Sequence, residues 1–183
     1  MTTREIEEYR ALRDTIRDRG TARHWIVVVG LAIWCGIAVA ISAFVTTPVT
    51  TLLPLFLLIA TFEVVFALHT AVERVGRYLQ VFFESASDAA AWEHVAMSYG
   101  RSFGGGGIDA LFSPLFATAA LFNFIPVLAT GPPAIDWALV AGVHALFVIR
   151  VWTARRQAGR QRKIDLVRFE KLKADLIRST TTS

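Results

Sequence analysis

TLLPLFLLIATFEVVFALHTAVERVGRYLQVFFE, residues Thr51–Glu84, is the stretch on which the fold turns. It opens as an apolar run long enough to cross a bilayer, since a helix rising 1.5 Å per residue needs about 20 residues for a core of about 30 Å. It then continues, without a second Pro and with a single Gly, into a polar extension. Glu63 lies inside the apolar part. His69, Glu73, Arg77 and Glu84 follow at near-helical spacing. The stretch reads as a membrane helix that runs on beyond the membrane.

The remainder of the chain repeats the pattern. Of 183 residues, 54% are hydrophobic and the mean hydropathy is +0.48. The apolar residues are gathered in blocks, which marks spans rather than a large soluble core. Cys35, the only cysteine, lies in one of those blocks, which excludes a disulfide framework and a cysteine-based metal motif. No cleavable signal peptide is expected, because the first apolar run begins only near Trp25, after a charged segment.

Residues 1–23 are expected to form an amphipathic helix. Ile6, Tyr9, Leu12 and Ile16 make its stripe, and Thr2 or Thr3 caps its start with Glu5 in the first turn. Residues 24–45 are the first expected span. Its small residues, Gly30, Ala32, Gly36, Ala38, Ala40 and Ala43, permit close helix approach, and Gly36 and Ala40 form a small-xxx-small pair. Residues 52–71 form the second span, with Pro54 in its first turn. Residues 72–107 comprise the polar extension, a break at SASD, a short helix that Ser87 or Asp88 would cap, and a glycine linker. That linker, RSFGGGG, lacks the Lys and Ser/Thr of a phosphate loop. Residues 108–128 form the third span, with Ser113 as cap and Pro114 in the first turn. Residues 135–152 form the fourth. Residues 153–183 read as a basic amphipathic helix continuous with it, with Leu166, Phe169, Leu172 and Leu176 on one face.

Charge decides the threading. Six basic residues fall in 1–23, three in 74–101 and ten in 150–178, together all 19. The connections 46–51 and 129–135 hold none. By the positive-inside rule both termini and the 74–107 segment lie in the cytoplasm. The expectation is an all-α integral membrane protein of the cell (inner) membrane: a single membrane domain of four transmembrane helices in two hairpins. Amphipathic cytoplasmic helices stand at both ends, and a cytoplasmic helical segment lies between spans 2 and 3.

Three constellations carry candidate chemistry. An ionisable residue inside a span is costly, about 2.5–3.5 kcal/mol for an Asp at the helix centre, and so marks a site by default. Glu63, His69, Glu73, Asn123 and His144 are the candidates for a polar or ion path. Packing is the competing reading, with His144 bonded to Asn123 or to a backbone carbonyl. His69, Glu73, Glu84, Glu93 and His94 are candidate metal ligands should the short helix fold back. Against this, no span carries E-x-x-H, and Glu93 and His94 are adjacent and diverge by about 100° on a helix. A haem on His144 and His69 would have to join two different depths. No cofactor is therefore expected.

The basic run Arg155, Arg156, Arg160, Arg162 and Lys163 is expected to grip anionic lipid headgroups. Nucleic acid is not an expected partner, since aromatic residues are not interleaved with these basic ones. No nucleophile has a base in a recognisable context. The function expected is a structural or assembly subunit without catalysis of its own, working as a homo-oligomer or with another membrane protein. The alternatives are an oligomeric ion or proton channel or transporter using Glu63 and His144, and a membrane metalloprotein using the His/Glu set.

Overall fold

A computed structural model describes residues 2–44, 47–84, 91–96, 110–131 and 133–181. The elements among the described residues are all helices, with no strand. Helix α1 is Thr3–Phe44, 42 residues. A 3-10 turn at Pro48–Thr51 leads straight into α2, Leu52–Phe82, 31 residues. A short helix, α3, covers 92–96. Helix α4 is Ser113–Thr130 and α5 is Ala134–Thr181, 48 residues. The break at SASD with its caps at Ser87 or Asp88, the glycine linker and residues 108–109 of the third expected span lie outside the described residues.

The terminal amphipathic helices are not separate elements. Residues 3–23 continue into the first apolar run as one helix, because no Pro interrupts Thr3–Phe44 and Gly20 alone costs only about 1 kcal/mol. Residues 153–181 likewise extend α5, as expected of a basic helix continuous with the fourth span. At 1.5 Å per residue α1 and α5 are about 63 and 72 Å long, more than twice a bilayer core. A reciprocal cap starts α1: Glu5 N–H donates to Thr2 Oγ1 at 3.3 Å, and Thr2 N–H donates to the Glu5 carboxylate at 2.7 Å.

At α4 the sequence expectation needs correction. Ser113 is not the cap. The N-cap is Phe112, in the left-handed region at φ 52°, with no side-chain cap bond, and Ser113 is the first helical residue. Pro126 removes a hydrogen bond inside the helix. Gly131 at φ 55° ends it, a conformation glycine adopts without strain.

Three helices are long and apolar enough to cross a membrane: α1, the segment Pro48–Phe82 and α5. Residues Ser113–Ala129 form a shorter apolar helix, about 25 Å long at 1.5 Å per residue. Within the most apolar windows, 39% of Pro48–Phe82 is buried, against 11% for α1 and 22% for α5. So α2 is the most enclosed of the three.

The chain divides into two compact units. One comprises residues 22–67 and 109–156. Its core gathers Leu55, Leu58, Phe62 and Val65 of α2 with Phe116 and Ala120 of α4 and Phe147 and Val151 of α5. Phe62 meets Phe116 and Phe147 edge-to-face, with centroids 5.2 and 6.0 Å apart. Large apolar side chains on the outside of this unit, such as Leu121, Leu146 and Trp152, are exposed by more than 60%. An exposed apolar surface of this extent needs an apolar surrounding.

The close approach in this unit is at Gly30. A Cβ added there would lie 2.5 Å from Thr61 Cγ2 and 2.7 Å from Thr61 Oγ1, whereas one at Gly36 would meet nothing within 4 Å. Of the small residues expected to permit close helix approach, Gly30 does so, while Gly36 of the Gly36–Ala40 pair faces open space. We expect Gly30→Ala to cost about 1–3 kcal/mol by overpacking, read as a lower unfolding temperature in detergent. Thr61→Ala in the same chain should recover most of that loss, and Gly36→Ala alone should leave the temperature unchanged.

Candidate functional site

The second unit comprises residues 1–21, 68–108 and 157–183. Its helices meet through aromatic rings and charges. Tyr78 packs on Phe82, Phe83 and Phe169, with centroids 4.8, 5.8 and 5.7 Å apart. Tyr78 OH donates to a Glu8 carboxylate oxygen at 3.0 Å. Burial first, and that bond second, hold the phenol above its ordinary pKa.

Beside these rings lies a buried ion network. Glu93 accepts from Arg77 Nη2 at 3.0 Å and from Arg13 Nη1 at 2.8 Å. Glu84 accepts from Arg13 Nη2 at 3.1 Å and from the Glu93 backbone N–H at 2.9 Å. The Arg77 and Glu93 side chains are only 5% and 10% exposed. Arg77 Nη1 also donates to Gln80 Oε1. Burial pushes the Arg77 guanidinium below its ordinary value, while Glu73 and Glu93 pull the other way. For Arg13, burial lowers the pKa, but the Tyr9 hydroxyl and the two carboxylates outweigh it and the net direction is upward. Two further pairs tie α2 to α5: Glu73 with Arg162 at 2.6 Å and Arg74 with Asp165 at 3.3 Å. Lys173 Nζ donates to the Val81 carbonyl.

The unit of residues 22–67 and 109–156 holds a smaller polar cluster in its apolar interior. Trp34 Nε1–H donates to Asn123 Oδ1 at 3.2 Å. Asn123 Nδ2 donates to the Thr51 carbonyl at 2.8 Å and faces His144 Nε2 at 3.0 Å. His144 Nδ1 is 2.8 Å from the Val140 carbonyl. These partners assign the proton to Nδ1 and make Nε2 the acceptor. Every polar atom of the Asn123 amide is thus used. Elsewhere on α2, Glu63 pairs with Arg150 Nη2 at 2.8 Å, and the Arg150 guanidinium stacks 4.5 Å from the Phe66 centroid.

The candidates from the sequence are therefore sorted as follows. Asn123 and His144 meet directly, in the contact expected of packing. Glu63 is engaged with Arg150, and His144 with a different set. Glu84 and Glu93 converge, but on Arg13. Glu73 turns to Arg162. His69 is buried, and His94 Nδ1 stands 3.4 Å from Gln80 Nε2. Among the described residues no group of three or more His, Cys, Asp or Glu side chains is placed to hold a metal ion. Arg155, Arg156, Arg160 and Lys163 are exposed, whereas Arg162 is half-buried against Glu73.

Sequence reasoning missed Arg13, Arg77, Trp34 and Arg150 as partners. A signal existed for two of them. A buried indole N–H needs an acceptor, and Asn123 is the one strongly polar residue of its span. Arg150 is the basic residue of α5 nearest in depth to an intramembrane carboxylate. Comparison with known proteins returns no match: no family model fits the chain, and neither a curated protein nor a solved structure is significantly similar to it.

Replacing Asn123 by Leu keeps the branching and the number of side-chain heavy atoms and removes three contacts between elements. We expect a loss of about 2 kcal/mol, taking about 0.6 kcal/mol for each bond in a membrane interior. Reversible unfolding in mixed micelles reads it. Leu121→Ala, at an exposed position of the same helix, serves as the unaffected control.

Proposed function

We propose that this chain is a four-span membrane protein of the cell (inner) membrane that serves as a structural or assembly subunit, without catalysis of its own. The spans are those read from the sequence, 24–45, 52–71, 108–128 and 135–152, with both termini and the 72–107 segment in the cytoplasm. The absence of basic residues from 46–51 and 129–135 supports that threading. So does the length of the shorter apolar helix Ser113–Ala129, within reach of a bilayer core.

One observation carries the functional reading. Most of the charged and polar side chains that the sequence offered for chemistry have a side-chain partner on another helix: Glu63 with Arg150, Glu73 with Arg162, Glu84 and Glu93 with Arg13, and His144 with Asn123. Groups used in this way hold helices to one another. Long helices extending past the spans then offer the surface on which a second copy or a membrane partner assembles. Arg155, Arg156, Arg160 and Lys163 supply an electrostatic grip on anionic headgroups, at about 1 kcal/mol per basic residue near the surface.

Two measurements test this. In a Cys35→Ala background, Val49→Cys should react with a membrane-impermeant maleimide added outside intact cells, while Thr3→Cys and Thr180→Cys should react only after lysis. The reverse pattern would refute the threading. Purified protein in native nanodiscs should run as an oligomer or a defined complex, and liposomes containing it should conduct no ions or protons. Flux that Glu63→Gln abolishes would establish the channel reading instead.

A further inference from the structure

The unit of residues 1–21, 68–108 and 157–183 contains a cavity of about 310 Å³ walled by α1, α2, α3 and α5. That is the lower end of the range for small-ligand sites. Its charged lining is balanced: two guanidinium groups, Arg77 and Arg162, and two carboxylates, Glu73 and Glu93. Ile16 and Val72 give it apolar wall, and Trp92, 63% exposed, stands at its edge. Gly76 lines it as well, and a Cβ there would lie 2.9 Å from Glu93 Oε2, so the glycine is what admits that carboxylate.

The lining keeps hydrogen-bonding capacity that the protein does not use. Arg77 is among the most buried charged side chains, yet its Nε has no acceptor. Arg162 Nε and Glu73 Oε2 face each other as an ion pair 2.6 Å apart. A buried donor left without an acceptor, as at Arg77 Nε, is costly, at about 1–3 kcal/mol. Such a donor on a cavity whose other charges are paired calls for an occupant with an acceptor pole. A lone anion would add uncompensated charge to a neutral lining, and so would a lone cation. A group carrying both charges would not.

Depth narrows the occupant further. Val72, Glu73, Gly76 and Arg77 occupy the first two turns of α2 after residue 71, where the proposed second span ends. In that threading they stand at the level of lipid headgroups, where an exposed indole such as that of Trp92 is also favoured. We propose that this cavity holds the headgroup of a zwitterionic, amine-bearing phospholipid, with the phosphate on Arg77 and Arg162 and the ammonium on Glu73 and Glu93. The assignment rests on the membrane reading above and deepens it, naming a lipid as the partner of the chain's most polar cavity.

The full-length protein, exchanged into nanodiscs of equimolar phosphatidylethanolamine, phosphatidylglycerol and phosphatidylcholine, tests it by native mass spectrometry of the lipid retained. We expect phosphatidylethanolamine to be retained about tenfold over each of the others. Arg162→Gln and Glu73→Gln should each erase that preference, Arg162→Lys should keep part of it, and Arg10→Gln, at an exposed position of α1 away from the cavity, should leave it intact. Unfolding temperatures identify any variant that fails to fold, and Arg162→Lys then decides the matter. Equal retention of the three lipids, a preference for phosphatidylglycerol, or indifference to both charge-removing variants overturns the proposal. Equal occupancy by inorganic phosphate or glycerophosphoethanolamine overturns the lipid as its source. A chain that fractionates with membranes but shows no lipid preference sinks this inference alone. A chain that does not fractionate with membranes sinks the reading beneath it.

Discussion

The buried pair of Arg77 and Glu93 is the constraint on which the residue 1–21, 68–108 and 157–183 unit depends. Two charges removed from water cost several kcal/mol each unless their remaining bonding positions are filled. Here most of them, Arg77 Nε excepted, are filled from neighbouring elements. Arg13 of α1 supplies the second cation for Glu93, and Glu84 at the end of α2 accepts the Glu93 backbone N–H. The short stretch of helix described at 92–96 gains little from its own turns. Its place is set by one carboxylate that two arginines hold.

The apolar unit solves a different problem. In a lipid surrounding, apolar side chains gain little by leaving lipid for protein, so association rests on close packing and on interhelical hydrogen bonds. Both appear. Gly30 lets α1 approach Thr61 of α2, and Asn123 joins Trp34, the Thr51 carbonyl and His144. Glu63 would be expensive in such a place alone. Paired with Arg150, itself stacked on Phe66, it becomes part of the packing.

The helical class, the apolar stretches and the continuation of the second one past residue 71 were legible in the sequence, since hydropathy and the absence of Pro act locally along the chain. The cap at Thr2 was legible for the same reason: Thr and Glu three apart form a reciprocal bond with their own backbone. Partners were not legible. Glu84 and Glu93 looked like ligands for a metal because they recur with His69 and His94. Only the fold brings Arg13, about 70 to 80 residues away in sequence, between them. The same holds for Glu63 and Arg150, 87 residues apart. Charge counting predicts where such residues lie with respect to a membrane, while pairing depends on helix rotation and depth, which a local pattern does not encode. Ser113 shows the limit at short range too: it has the chemistry of a cap, but the chain turns at Phe112 and makes it the first helical residue.

If charges in this protein serve to hold helices together, then Arg77 and Glu93 must depend energetically on one another. The most direct measurement is a double-mutant cycle, with Arg77→Met, Glu93→Gln and the double variant unfolded reversibly in mixed micelles. The account predicts that each single change costs more than the exposed charges do and that the double variant costs less than their sum, by a coupling of about 1–3 kcal/mol. Single effects that add to within about 0.5 kcal/mol would contradict it.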